Sequence, residues 1–134
     1  MISMGADTGV QPQDRAARIL VVEEEPLVAI MLEDALGDFR YHVLGPVENP
    51  KAAIFLAETE HIDAAVVDTN IDGQIAESVA DKLMERGIPF AFVSDRLGMF
   101  KFDCADIPRL PNPFTVDDLQ RIVMRLLSSR STKR

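Results

Sequence analysis

The residues able to do chemistry in this chain sit immediately after short apolar runs. Ile19-Leu20-Val21-Val22 stops at Glu23, Glu24 and Glu25, and Ala64-Ala65-Val66-Val67 stops at Asp68. Phe90-Ala91-Phe92-Val93 stops at Ser94 and Asp95, and Arg109-Leu110 is followed by Pro111-Asn112-Pro113. Carboxylates from separate segments that meet in one crevice repel one another, so a proton or a divalent cation has to be held with them. Oxygen ligands completed by several waters suit Mg²⁺. An Asp beside such an ion is placed to attack a phosphoryl group and form an aspartyl-phosphate, with the ion offsetting charge on the phosphoryl oxygens. A Ser94 hydroxyl would donate to one of those oxygens. One acid at the end of a run is more often a solvated loop or cap residue; the four polar ends together mark a site.

Such convergence needs strands whose ends share one edge, and the chain is patterned for that. Continuous apolar runs of four or so residues are the mark of strands buried on both faces. Helical patterns alternate with them. Pro26 suits the first turn of a helix whose apolar positions Leu27, Ile30, Met31 and Ala35 run to Gly37. Tyr41 to Leu44 reads as a second strand closed by Gly45-Pro46. Asn49-Pro50 reads as an N-cap and first residue of a helix to about Glu60. Residues 69–73 read as loop, and Ile75, Val79 and Leu83 form a stripe ending at Arg86-Gly87. Residues 96–107 fit neither period well; the best fit is a short, weak helix. Thr115 caps a last helix with Asp117 and Asp118 in its first turn and Leu119, Ile122, Val123, Leu126 and Leu127 on one face. Strand then helix, five times, predicts a flavodoxin-like (βα)5 three-layer sandwich with a parallel sheet of order 2-1-3-4-5. Ligands of such sheets bind beyond the carboxyl ends of the strands, where the polar ends lie.

The composition agrees. At 134 residues and 47% hydrophobic the chain suits one domain. We divide it into a flexible segment 1–17, an ordered body 18–127 and a basic tail 128–134. The net charge is −8. With −1 on residues 1–17 and +3 on the tail, the body carries −10, which repels phosphate backbones and anionic lipid and argues against direct nucleic-acid or membrane binding. Cys104 is the sole cysteine, so neither an internal disulfide nor a cysteine-built metal site is open to the chain. No apolar run reaches the length of a spanning helix, and Met1 to Gln13 lacks the features of a secretory signal. A cytoplasmic protein is expected.

The chain resembles the receiver domains of two-component response regulators. The resemblance rests on Ile19-Leu-Val-Val-Glu-Glu-Glu-Pro-Leu-Val28, Asp63-Ala-Ala-Val-Val-Asp-Thr-Asn-Ile71, Pro89-Phe-Ala-Phe-Val-Ser94 and Asn112-Pro-Phe114, in order and spacing over 18–127. The stretch after Pro89 also looks like a subgroup with a Phe-Ala-Thr-Gly-Tyr signature. The resemblance implies Asp68 as phosphoacceptor, charged by a histidine kinase or histidine phosphotransfer protein. It implies Glu23 and Glu24 as the acidic pair for Mg²⁺, Asn70 as a backbone-carbonyl metal ligand and Ser94 as the switch hydroxyl. Asn112 stands at the usual Lys position, before a Pro whose preceding bond is usually cis.

Several residues depart from the family pattern. Glu24 stands where Asp is usual, one methylene longer. Asn112 removes a cation from the phosphoryl group, a charge-assisted hydrogen bond worth roughly 1.5–3 kcal/mol. Asp95 and Arg96 replace the subgroup's Gly and Tyr, and Arg109 stands where an aromatic switch residue is common. A receiver with weakened phosphorylation follows, with Arg96 or Lys101 as partial replacements for the lost charge.

Two other functions compete. One is a pseudo-receiver, a phosphorylation-independent protein-interaction module, favoured by Glu24, Asp95 and Asn112 and opposed by Asp68, Asn70 and Ser94. The other is a small phosphatase, which lacks a second acid to protonate a leaving group after Asp68-Thr69-Asn70; no substrate-turning enzyme is expected. With no output domain after residue 134, a stand-alone receiver is expected, acting through protein contact with a downstream target. Leu97, Met99, Phe100 and Phe102 either cover the sheet or form a partner or homodimer surface. His42 and His61 read as isolated surface or strand-edge residues.

Overall fold

A computed structural model describes residues 16–69, 73–94, 107–111 and 113–132. In chain order its elements are β1 (Arg18–Val22), α1 (Pro26–Asp38), β2 (His42–Val47), α2 (Pro50–Thr59), β3 (Ala64–Asp68), α3 (Gly73–Glu85), β4 (Phe90–Ser94), β5 (Arg109–Pro111) and α4 (Val116–Thr132). The strands form one parallel sheet of order β2-β1-β3-β4-β5, as the alternation predicts. The weak helix expected within 96–107 falls largely outside the described residues.

The apolar runs become strands because both of their faces are covered. Leu20, Val22, Ala65, Val67, Phe90 and Phe92 point to one side and pack with Ala53 and Ala57 of α2 and Ala76, Val79, Ala80 and Leu83 of α3. Ile19, Val21, Ala64, Val66, Ala91, Val93 and Leu110 point to the other and meet Leu32, Ala35 and Leu36 of α1 and Leu119, Val123 and Leu126 of α4. The period-two alternation of strand side chains thus divides one continuous apolar run between two cores. Phe90 and Phe92 add an edge-to-face contact, centroids 5.5 Å apart.

The helix ends follow the local sequence. Asn49 accepts from the N–H groups of Lys51 at 2.8 Å and Ala52 at 3.2 Å, with Pro50 opening α2. At α4 the Thr115 hydroxyl accepts from the Asp118 N–H at 3.0 Å while the Asp118 carboxylate accepts from the Thr115 N–H at 3.3 Å, a reciprocal capping box. Arg86 does not serve its own helix: its guanidinium donates to the carbonyls of Ala57 and Glu60 and closes the end of α2. His61 is exposed and lies 3.2 Å from Asp63, whose carboxylate also accepts the Arg18 N–H at 2.8 Å. His42 is exposed on the edge strand.

Element ends differ from the sequence reading by a residue or so in several places and by more at β2 and α4. β2 does not stop at Leu44; it passes through Gly45-Pro46, whose peptide bond is cis, and ends at Val47. Proline removes one ladder donor, but β2 is an edge strand and a register slip against β1 absorbs the gap. α4 continues beyond Leu127 to Thr132, since a helix already nucleated by a packed face needs no further apolar residues to propagate.

Candidate functional site

Glu23 and Asp68 reach one place because their strands are neighbours. Val22 pairs with Val67, so the next residue of each strand, Glu23 and Asp68, emerges side by side at the carboxyl edge of the sheet. Both are buried, at 3% and 2% exposure. Asp68 in turn pairs with Val93, and Ser94 with Pro111, so the main chain of β4 and β5 ends at the same edge. Thr69 extends the β3–β4 seam by one step: its N–H and its hydroxyl both donate to the Val93 carbonyl, at 3.0 and 3.1 Å.

Glu23 is held by two hydrogen bonds and keeps one carboxylate oxygen spare. Its N–H donates to the Val47 carbonyl at 3.0 Å. One carboxylate oxygen, Oε2, accepts from the Glu25 N–H at 3.2 Å. The other, Oε1, is buried, and in the ionised carboxylate it has no hydrogen-bond donor among the described residues. Two ionised carboxylates are acceptors only and cannot satisfy one another, whereas a protonated Glu23 can donate to Asp68. Its carboxyl is accordingly pushed up to about 8, first by burial, then by that hydrogen bond to Asp68 and by the Asp68 charge; the Glu25 N–H opposes the shift.

A buried, orphaned carboxylate oxygen beside a second carboxylate fits a small hard cation. Mg²⁺ is commonly bound through one or two carboxylates and keeps several waters, so this pair is sufficient in kind. Glu24, unlike the pair, is exposed and lines an open groove of about 380 Å³ with Glu25, Pro26 and Glu48. Among the described residues no group of three or more His, Cys, Asp and Glu side chains is gathered to hold a metal ion. Ser94 is described through its main chain at the end of β4; Asn70, Asp95, Arg96, Lys101 and Asn112 lie outside the described residues. Arg109 sits part-buried in β5, paired with Phe92.

Three participants escaped the sequence reading. Glu25 serves the site through its N–H, Val47 through its carbonyl and Thr69 through its contacts to Val93. Main-chain donors and acceptors carry no residue signature. Only the buried hydroxyl of Thr69, directly after Asp68, was open to inspection.

A doubly covered parallel sheet of order 2-1-3-4-5 is the flavodoxin-like fold, and here it carries an acidic pair at its carboxyl edge. No family model matches the chain, and neither does any curated protein. Solved structures do. SdrG from Sphingomonas melonis Fr1 is 36% identical with a TM-score of 0.71, covering 84% of this chain and 97% of its own. SdrG in its BeF3-activated conformation is likewise 36% identical, at 0.70. The receiver domain of the sensor histidine kinase PA1611 from Pseudomonas aeruginosa PAO1, which has a magnesium ion coordinated in its active site cleft, is 24% identical with a TM-score of 0.74, covering 85% and 99%. A CheY-like receiver from Methanospirillum hungatei JF-1 shares the fold at 16% identity and a TM-score of 0.77, covering 90% and 100%. The chain belongs to the response regulator receiver domains. Among the described residues no helix is long and apolar enough to cross a membrane.

Proposed function

We propose that the chain is a phosphoacceptor receiver in which Asp68 takes a phosphoryl group from the phosphohistidine of a histidine kinase or histidine phosphotransfer protein. The observation that carries this reading is the buried Glu23–Asp68 pair with its orphaned Glu23 oxygen at the carboxyl edge of the sheet. An Asp68 carboxylate oxygen attacks phosphorus, the P–O bond forms, the P–N bond to imidazole breaks and the imidazole leaves with the bonding pair and a proton from solvent. Glu23 and Asp68 would hold Mg²⁺, with Glu24 and the Asn70 main-chain carbonyl as the further ligands that family resemblance suggests. When bound, the ion supplies positive charge that offsets the carboxylates and the phosphoryl oxygens. Glu23 gives up its proton to make room for that charge, and Ser94 donates its hydroxyl to the phosphoryl group. Exposed Leu27, Ile30 and Met31 of α1, which begins three residues after Glu23, offer an apolar face to a docking partner.

The BeF3-activated conformation solved for SdrG, 36% identical to this chain, supports a conformational switch; in our reading its output is protein contact in the cytoplasm and not substrate turnover. The test is incubation with acetyl phosphate and Mg²⁺ followed by intact-mass measurement. One phosphoryl group is expected on the wild type and none on Asp68→Ala. A second reading, a phosphorylation-independent interaction module, is favoured by the exposure of Glu24, in contrast to the buried Glu23 and Asp68. Absence of Asp68-dependent mass gain under every phosphodonor tried would select it.

A further inference from the structure

β2 reaches the acidic pair through a kink. Between the Leu20–Leu44 and Val22–Val47 pairs, β1 advances two residues and β2 three, so β2 carries one residue too many. The slip passes over Pro46, which has no N–H for the ladder, and brings Val47 opposite Val22. The Val47 carbonyl then meets the Glu23 N–H. Gly45 makes the slip possible. Its φ is +101°, and a Cβ there would lie 2.7 Å from the Val47 nitrogen and 2.8 Å from the Val21 carbonyl oxygen. Both are backbone atoms, so neither can swing aside as a side-chain tip would. Any L side chain at 45 therefore drives β2 away from β1 at the pair that anchors Glu23.

We propose that Gly45 is a positioning residue for the cation and phosphoryl site: its bare α-carbon lets β2 close against the end of β1, so that Val47 fixes the Glu23 main chain and with it the carboxylate beside Asp68. The proposal deepens the functional reading above and rests on it, since it takes Glu23 and Asp68 as the Mg²⁺ site. Removing an outer partner that orients a metal-binding side chain commonly costs roughly ten- to a hundredfold in metal affinity. A loss of that size is expected in Gly45→Ala.

The test is Mg²⁺ titration of the full chain by calorimetry, paired with amide hydrogen exchange at Glu23. Gly87→Ala is the control. Gly87 has φ +68° but open space around its Cβ position, at the opposite edge of the sheet, so the substitution strains the backbone without crowding the site. Gly45→Ala should bind Mg²⁺ roughly ten- to a hundredfold more weakly and exchange its Glu23 amide faster, with Gly87→Ala within about twofold of wild type. Equal affinity in Gly45→Ala and wild type, or equal losses in the two variants, overturns the proposal. Should Gly45→Ala not fold, the wild type decides: linkage requires Mg²⁺ to slow exchange at Glu23, and an unchanged rate overturns the proposal. A wild type that binds no Mg²⁺ refutes the functional reading instead, a result distinct from either.

Discussion

Replacing Glu23 by Gln keeps the shape of the side chain and removes its charge, which isolates the electrostatic cost of the acidic pair. In the folded chain the Glu23 carboxyl holds its proton up to about 8, against an ordinary value of 4.5. Between those values the folded state binds more protons than the unfolded state, so the metal-free protein loses stability as pH rises. The contribution is fully present below about 4.5 and gone above about 8. A shift of that span is at most about 5 kcal/mol at 1.36 kcal/mol per unit. Relaxation of the two carboxylates and their surroundings lowers that ceiling, and we expect about 1–3 kcal/mol. Urea unfolding in the presence of a chelator, from about pH 5 to about pH 9, measures it. Glu23→Gln should match wild type at the acid end and exceed it by about 1–3 kcal/mol at the alkaline end. A difference independent of pH, or a wild type that gains stability as pH rises, would refute the placement of a shared proton between Glu23 and Asp68.

Other outcomes follow from the same geometry. Mg²⁺ at a hundred times its dissociation constant should stabilise the wild type by about 2.7 kcal/mol, and the shift should vanish in Asp68→Ala. Because binding displaces the Glu23 proton, Mg²⁺ affinity should rise with pH until about 8 and then level off, which titration at several pH values checks. Asn112→Lys should speed phosphorylation from acetyl phosphate roughly ten- to a hundredfold, the worth of one charge-assisted hydrogen bond of about 1.5–3 kcal/mol. Arg86→Met removes two hydrogen bonds from the end of α2 and should cost about 1–2 kcal/mol in urea unfolding while Mg²⁺ affinity stays unchanged.

The adjacency of Glu23 and Asp68 was legible because parallel strands of equal length place the residues after them on one edge. Two four-residue apolar runs and an α/β alternation sufficed for that. The end of β2 was not legible. Pro46 reads as a stop because a proline costs a ladder hydrogen bond, and only the three-dimensional partner shows that the neighbouring strand accommodates a slip. The parts played by Glu25 and Val47 were hidden for a different reason: both act through peptide groups that every residue possesses. Leu127 ended the apolar stripe without ending α4, since periodicity reports the packed face of a helix and not its length. Residues 96–107 fit neither the helix nor the strand period well, so the spacing of their apolar residues gave only a weak helix.

The two cores are built from side chains of different size. α2 presents Ala53 and Ala57 to the sheet and α3 adds Ala76 and Ala80, whereas α1 and α4 contribute mostly leucine and valine. An alanine layer leaves little room for growth, and a leucine layer tolerates little pruning. Random mutagenesis should therefore wear the molecule unevenly, with enlargements purged from one flank and truncations from the other. Lineages of this chain would carry that asymmetry as a record of which helices sit on which side.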